Sequence, residues 1–208
     1  MDTNALQEAA FRRYDETPDS DFYRIPRLVT HIDDAATKAV TQLYREYFPP
    51  EARVLDLMSS WVSHLPTETD YPHVVGLGMN AQELAANPRL DGWMVQNLNE
   101  NPVLPFPEAS FDACGLCVSL QYLTDPIAVL RDVGRVLTPG SPIVITFSNR
   151  CFPTKAVAVW QRCSDDGHLR LVGNYLSAAG NWTDITLLDR SPSPGKSDPL
   201  LAVVARRA

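Results

Sequence analysis

The stretch DLMSSWVSHLP, Asp56 to Pro66, places one carboxylate, three hydroxyls and one imidazole directly after the apolar run RVLDL at 53–57. Such a set can bind a polar ligand, because serine hydroxyls donate to carboxylates and successive backbone N–H groups form an anion nest. The same residues have plainer uses. Ser59 and Ser60 suit a helix N-cap, Met58 and Trp61 suit a core, and His64 suits a loop. Other groups that can hold a proton or orient a substrate are His31, near a helix start, and Gln121, Tyr122, Asn149 and Arg150, beyond two later apolar runs. None stands out as a general base. Cys114 and Cys117 have C-x-x-C spacing, but they lie in FDACGLCVSL, an expected strand in which residues three apart point to opposite faces. Buried, reduced thiols in a cytoplasmic protein are therefore expected, with no metal or redox centre. No G-x-S-x-G elbow or phosphate-binding loop occurs, and no G-x-G-x-x-G follows a strand, which excludes a dinucleotide oxidoreductase.

These groups need a scaffold, and the apolar pattern describes one. Runs at 53–57, 73–79, 92–98, 111–120 and 141–148 read as buried strands. Between and after them, AQELAAN, DPIAVLRDVGRVL (125–137), TKAVAVWQRC and GHLRLVGNYLSAA read as helices. TDITLLDR (183–190) and LLAVVARR (200–207) close the chain with no helix between them, so one runs antiparallel in an otherwise parallel sheet covered on both faces. Residues 27–48 read as one helix ended by Pro49-Pro50. Residues 1–50 are expected to form a helical cap over the carboxyl ends of the strands, and residues 51–208 one compact domain. A length of 208 residues with 45% hydrophobic content suits such a core. A net charge of -7 without a basic stripe argues against nucleic acid and anionic membrane as partners. No run approaches about eighteen apolar residues, and the N-terminal MDTNALQEAAFRRYDETPDSD is too polar for a signal peptide. Nothing in this composition excludes a homodimer.

LPFPEASFD (104–112) resembles the LPFPDxSFD stretch of class I S-adenosylmethionine-dependent methyltransferases of the small-molecule, type 11-like group. YLTDPIAVLRDVGRVLTPGS (122–141) is similar to their H-x-x-D-P-x-x-x-L-x-E-x-x-R-V-L-K-P-G-G segment, and SNRCFPTKAVAVW resembles bacterial methyltransferase-like proteins that share the opening stretch. The resemblance covers roughly residues 50 to 205. It implies a Rossmann-like α/β fold: a seven-stranded, mostly parallel sheet with an antiparallel last strand. S-adenosylmethionine would bind across strands 1, 2 and 4. On matching positions the cofactor contacts fall on Asp56, Met58, Ser59 and Ser60 in the first loop and on Gly78, Met79 and Asn80 after strand 2. They continue with Asn97, Leu98 and Asn99 after strand 3 and Val118 after strand 4. Arg27 or Tyr23 from the cap would hold the methionine carboxylate, and Asn80 would reach the ribose. Tyr122, His31 and Asn149 would stand at the reacting end, Tyr122 where relatives often have His.

The departures from the family pattern carry as much information. Its first motif is D/E-x-G-x-G-x-G, where missing side chains let the backbone approach the methionine moiety. Here those glycine positions hold Met58, Ser60 and Val62. The acidic residue that ends strand 2 and binds both ribose hydroxyls falls on Gly78, and an Asp common after strand 3 falls near Asn97 or Asn99. Losing a hydrogen bond to a charged group, about 1.5–3 kcal/mol, weakens binding about 10- to 200-fold unless something compensates. The favoured reading is methyl transfer to a small-molecule acceptor with an altered, glycine-poor cofactor loop. The alternative is a catalytically inactive, methyltransferase-like binding or regulatory protein.

Overall fold

A computed structural model describes residues 9–208, so the first eight residues of the expected cap and of the polar N-terminal stretch lie outside the described residues. The strands are β1 (Arg53–Leu57), β2 (His73–Gly78), β3 (Gly92–Val95), β4 (Ala113–Cys117), β5 (Pro142–Phe147), β6 (Trp182–Asp189) and β7 (Leu201–Arg207). They form one sheet in the order β3-β2-β1-β4-β5-β7-β6, with β7 antiparallel to both neighbours and the other pairs parallel. Every position of β5 is buried, which is why that run reads as continuously apolar rather than alternating. The fold is the one the sequence predicts.

The helices are α1 (Asp19–Phe22), α2 (Asp34–Tyr47), α3 (Ala81–Ala86), α4 (Pro126–Val136), α5 (Ala158–Gln161) and α6 (Asp165–Ala179). One apolar layer joins Leu55, Leu116 and Ile145 of the sheet to Val129 and Val133 of α4 and Val172 and Leu176 of α6. The opposite layer joins Val54, Ala113 and Val144 to Val40, Leu43 and Tyr44 of α2. Cys114 belongs to the first layer and Cys117 packs against the second, so the two thiols point to opposite faces. Burial pushes the Cys114 thiol up and that of Cys117 to about 12, which keeps both protonated at neutral pH.

Three segments differ from the sequence-based expectation. The helix expected over 27–48 starts only at Asp34, because the Asp33 side chain accepts the Ala36 N–H and caps it. That helix covers a sheet face, whereas the chain before it, about residues 13 to 33, runs as a strap over the carboxyl ends of the strands. The strand expected over 92–98 stops at Val95, where Asn97 Oδ1 accepts Asn99 N–H and turns the chain. The helix expected in TKAVAVWQRC is confined to Ala158–Gln161, because Lys155 is buried and reaches the strap. Among the described residues no helix is long and apolar enough to cross a membrane.

Candidate active site

After β1 the chain enters a loop at 58–72 that contains no helix, so Ser59 and Ser60 cap none. Met58 takes φ 54°, a left-handed conformation that costs a residue with a side chain about 1–2 kcal/mol. This turn carries Ser59 back over β2. Its N–H donates to the Leu77 carbonyl at 2.8 Å, and its own carbonyl overlaps the place that a Cβ on Gly78 would occupy. Asp56 is buried beneath the loop. Its Oδ2 accepts the hydroxyls of Ser59 at 2.5 Å and Ser63 at 2.7 Å, and Asn87 Nδ2 donates to Ser63 Oγ at 2.8 Å. Burial outweighs these bonds and pushes the Asp56 pKa up to about 6. Asp56 thus faces a recess of about 70 Å³, shared with His64, and not the main cavity.

The main cavity holds about 420 Å³. It opens at the carboxyl ends of β1, β2 and β4, the crevice that open parallel sheets use for ligands. Apart from Asp56, every residue assigned to a cofactor contact or to the reacting end from the resemblance lines it, whereas Gln121 does not. Met58, Ser59, Ser60, Gly78, Met79 and Asn80 form one wall. Asn97, Leu98, Asn99 and Val118 form the next. Val118 takes φ 49°, a left-handed value that is unusual for a β-branched residue and marks a strained site position. Tyr23, Arg27 and His31 close the cavity from the strap, and Tyr122 and Asn149 stand at the far end.

Several of these polar groups already have protein partners. The Ser59 and Ser60 hydroxyls donate to Asp56 and Glu83, the latter at 2.6 Å, so their protons are committed within the protein. Asn80 Oδ1 caps α3, and its Nδ2 donates to the Tyr23 and Arg24 carbonyls at 2.8 and 3.2 Å. Its amide ties the strap down, which leaves no free donor for the ribose contact expected of it. Asn99 donates to Asp19 and to the Tyr122 carbonyl and accepts the Thr124 N–H. Arg27 is different. Its guanidinium lies 4.5 Å from the Phe22 ring centroid and donates to the Phe22 carbonyl, yet it forms no salt bridge among the described residues. An arginine in a cavity wall without a carboxylate partner suits an anionic group of a ligand.

Around Tyr122 the cavity wall carries further polar groups. The Tyr122 hydroxyl accepts the Phe152 N–H at 2.9 Å, and burial raises its pKa to about 12, so it keeps its proton and can donate. Burial likewise raises the Tyr23 phenol and holds the His31 imidazole below its ordinary range, leaving His31 neutral at neutral pH. Asn149 and Arg150 are exposed at the rim, whereas Gln121 is buried under the strand-4 exit and stays out of the cavity. The lining groups missed from the sequence include Asp19, Glu83, Ser119 and Phe152. Only Glu83 had a signal, since it stands three residues after the N-cap Asn80 in a capping-box spacing.

Fold and cavity define a class. A mostly parallel seven-stranded sheet with an antiparallel last strand, and a ligand crevice across β1, β2 and β4, is the class I methyltransferase architecture, whose cofactor is S-adenosylmethionine. The residues fit that cofactor: a buried Ser119 hydroxyl in the cavity wall has no partner among the described residues, the Arg27 guanidinium has no carboxylate partner there and would suit that of a ligand, and Leu98 and Phe152 offer apolar surface.

The comparisons agree. A family model described as "Methyltransferase domain" matches residues 61–145. A malonyl-[acyl-carrier protein] O-methyltransferase of Erwinia billingiae is 25% identical over 133 residues, 63% of this chain and 53% of that protein. The chain thus spans about half the length of that curated relative. An S-adenosylmethionine-dependent methyltransferase from Mesorhizobium loti superposes with a TM-score of 0.57 at 19% identity, over 81% of this chain and 98% of that one. The [4+2]-cyclase SpnF superposes with a TM-score of 0.61 at 16% identity, over 88% and 89%. These structural likenesses establish the fold, and the cyclase shows that one fold carries more than one chemistry. Residues 61–145 thus match a methyltransferase-domain model, and the chain has the fold of class I S-adenosylmethionine-dependent methyltransferases.

Proposed function

We propose that this protein transfers a methyl group from S-adenosylmethionine to a small-molecule acceptor and does so with a remodelled cofactor loop. The observation that carries this reading is the main cavity of about 420 Å³, which gathers the loop, the strand ends and the strap around one volume. The bound cofactor supplies a sulfonium methyl that is already activated, so the protein's task is alignment. Arg27 and Tyr23 hold the methionine carboxylate, Asn97 to Asn99 flank the adenine, and Met58 and Val118 pack against the central part of the cofactor. His31, Tyr122 and Asn149 orient the acceptor, and their polar atoms suit one that bears oxygen or nitrogen. The strap excludes water, being pinned by Asn80, by Trp61 Nε1 on the Val29 carbonyl at 3.1 Å and by Lys155.

A second reading, a binding protein without turnover, is favoured by one feature: the Ser59 carbonyl fills the space of the family's ribose-binding side chain. Calorimetric titration separates the two. S-adenosylmethionine is expected to bind in the micromolar range, and Arg27→Ala to weaken it while leaving 5′-methylthioadenosine, which lacks the carboxylate, unchanged. Absence of binding at millimolar ligand refutes the cofactor reading. Binding with no methyl transfer across a broad acceptor set moves the conclusion to the second reading.

A further inference from the structure

We infer that Glu83 is the carboxylate that holds the cofactor's ribose diol, standing in for the acid missing at Gly78. The inference rests on the cofactor reading above and deepens it.

At position 78 no side chain fits. The Ser59 carbonyl overlaps the Cβ position, and the Ser59 N–H to Leu77 carbonyl bond of 2.8 Å fixes the loop there. The acid has moved along the chain instead. Glu83 lies on the first turn of α3, the helix after β2, and its side chain lines the same cavity wall as Gly78. Its Oε1 accepts the Arg27 N–H at 2.7 Å, and its Oε2 accepts the Ser60 hydroxyl at 2.6 Å.

An ionised carboxylate offers about four acceptor sites, so each oxygen keeps one free. Two adjacent acceptors match the two donors of a vicinal diol. Glu83 forms no salt bridge among the described residues, so no cation competes for those sites. Its two protein donors come from the remodelled loop and from the strap. They orient the carboxylate within the cavity wall.

The test compares S-adenosylhomocysteine with its 2′-deoxyadenosyl analogue, by titration against the wild-type protein and Glu83→Gln. Glutamine keeps both stitches, since its carbonyl accepts from Arg27 and its amide donates to Ser60 Oγ, so folding is preserved. Wild-type protein is expected to prefer the ribose ligand by roughly tenfold or more, and Glu83→Gln to lose most of that preference while binding the deoxy ligand almost as before. Equal weakening of both ligands makes Glu83 a stitch between loop and strap and overturns the assignment. Should Glu83→Gln melt early, the wild-type comparison still decides, because equal affinity for the two ligands overturns the inference by itself. Wild-type protein that binds neither ligand fails at the cofactor reading, a distinct outcome that removes the inference with it.

Discussion

Replacing Asp56 by asparagine tests whether the acid of the first motif is a ligand contact or a buried fixture of the loop. Asp56 is 6% exposed, and burial lifts its pKa from 3.8 to about 6 against the opposing effect of the Ser59 and Ser63 hydroxyls. A raised carboxyl pKa means that the folded state holds the proton more tightly than the unfolded chain. Its contribution to stability is therefore complete below about pH 4 and is lost as pH rises through about 6. At about 1.4 kcal/mol per pKa unit the change amounts to about 3 kcal/mol. An asparagine side chain cannot ionise, and its carbonyl can accept both serine hydroxyls. The stability of Asp56→Asn relative to wild type should therefore improve by about 3 kcal/mol between pH 4 and pH 8, or about 6–12 °C in Tm for a chain of this size. Thermal melts of both proteins by circular dichroism, at fixed ionic strength across that range, measure the difference and cancel the other titrating groups. A difference independent of pH, or one that shrinks as pH rises, refutes the buried, strained carboxylate.

Two more outcomes are expected in the same region. Gly78→Ala forces a Cβ against the Ser59 carbonyl, a backbone atom that cannot swing aside. It should cost about 1–3 kcal/mol in urea unfolding and weaken S-adenosylhomocysteine binding, and wild-type stability would show that the loop is not seated on β2. Lys155→Met removes a buried ammonium that donates to the Thr17 carbonyl at 2.6 Å and lies 3.5 Å from both Asp15 and Asp19. Asp19 keeps Arg13 at 2.7 Å, so destabilisation should fall at the low end of about 3–5 kcal/mol. Limited proteolysis should then cut first between residues 13 and 33; a strap as resistant as in wild type speaks against Lys155 as its anchor.

Much of the scaffold was legible because its signals are local. The runs at 53–57, 73–79 and 141–148 could only be buried strands, and Asp125 before Pro126 announces α4, whose cap the structure confirms with the Asp125 to Ala128 bond of 3.0 Å. The strap was not legible in the same way. Residues 27–33 share the helical periodicity of α2, and only long-range bonds, from the Arg27 N–H to Glu83 and from Trp61 to the Val29 carbonyl, show that they are held outside that helix. The site positions were found through register, since the carboxyl ends of β1, β2 and β4 must meet. Which side chains are free at those positions depends on partners far apart in sequence. Asp56, Asn80 and Asn99 all carry suitable chemistry, but each is occupied by neighbours that spacing does not reveal.

The departures from the methyltransferase pattern are linked to one another. Met58 in a left-handed turn sends the Ser59 backbone onto Leu77, and that placement leaves room only for glycine at 78. The glycine that ends β2 is therefore a consequence of the loop, not a second, unrelated loss. The same turn brings the Ser60 hydroxyl to Glu83, so a carboxylate faces the cavity from one helical turn further on. Ser59 and Ser63 meanwhile close over Asp56, and their hydroxyls offset part of the cost of burying its carboxylate, whose pKa burial still pushes up to about 6. Loss of the cofactor site by drift would leave these changes uncoordinated. Here the loop, the strand end, the helix and the strap are fastened to one another around a cavity that still suits an adenosyl ligand, and that coordination favours a rebuilt site over an abandoned one.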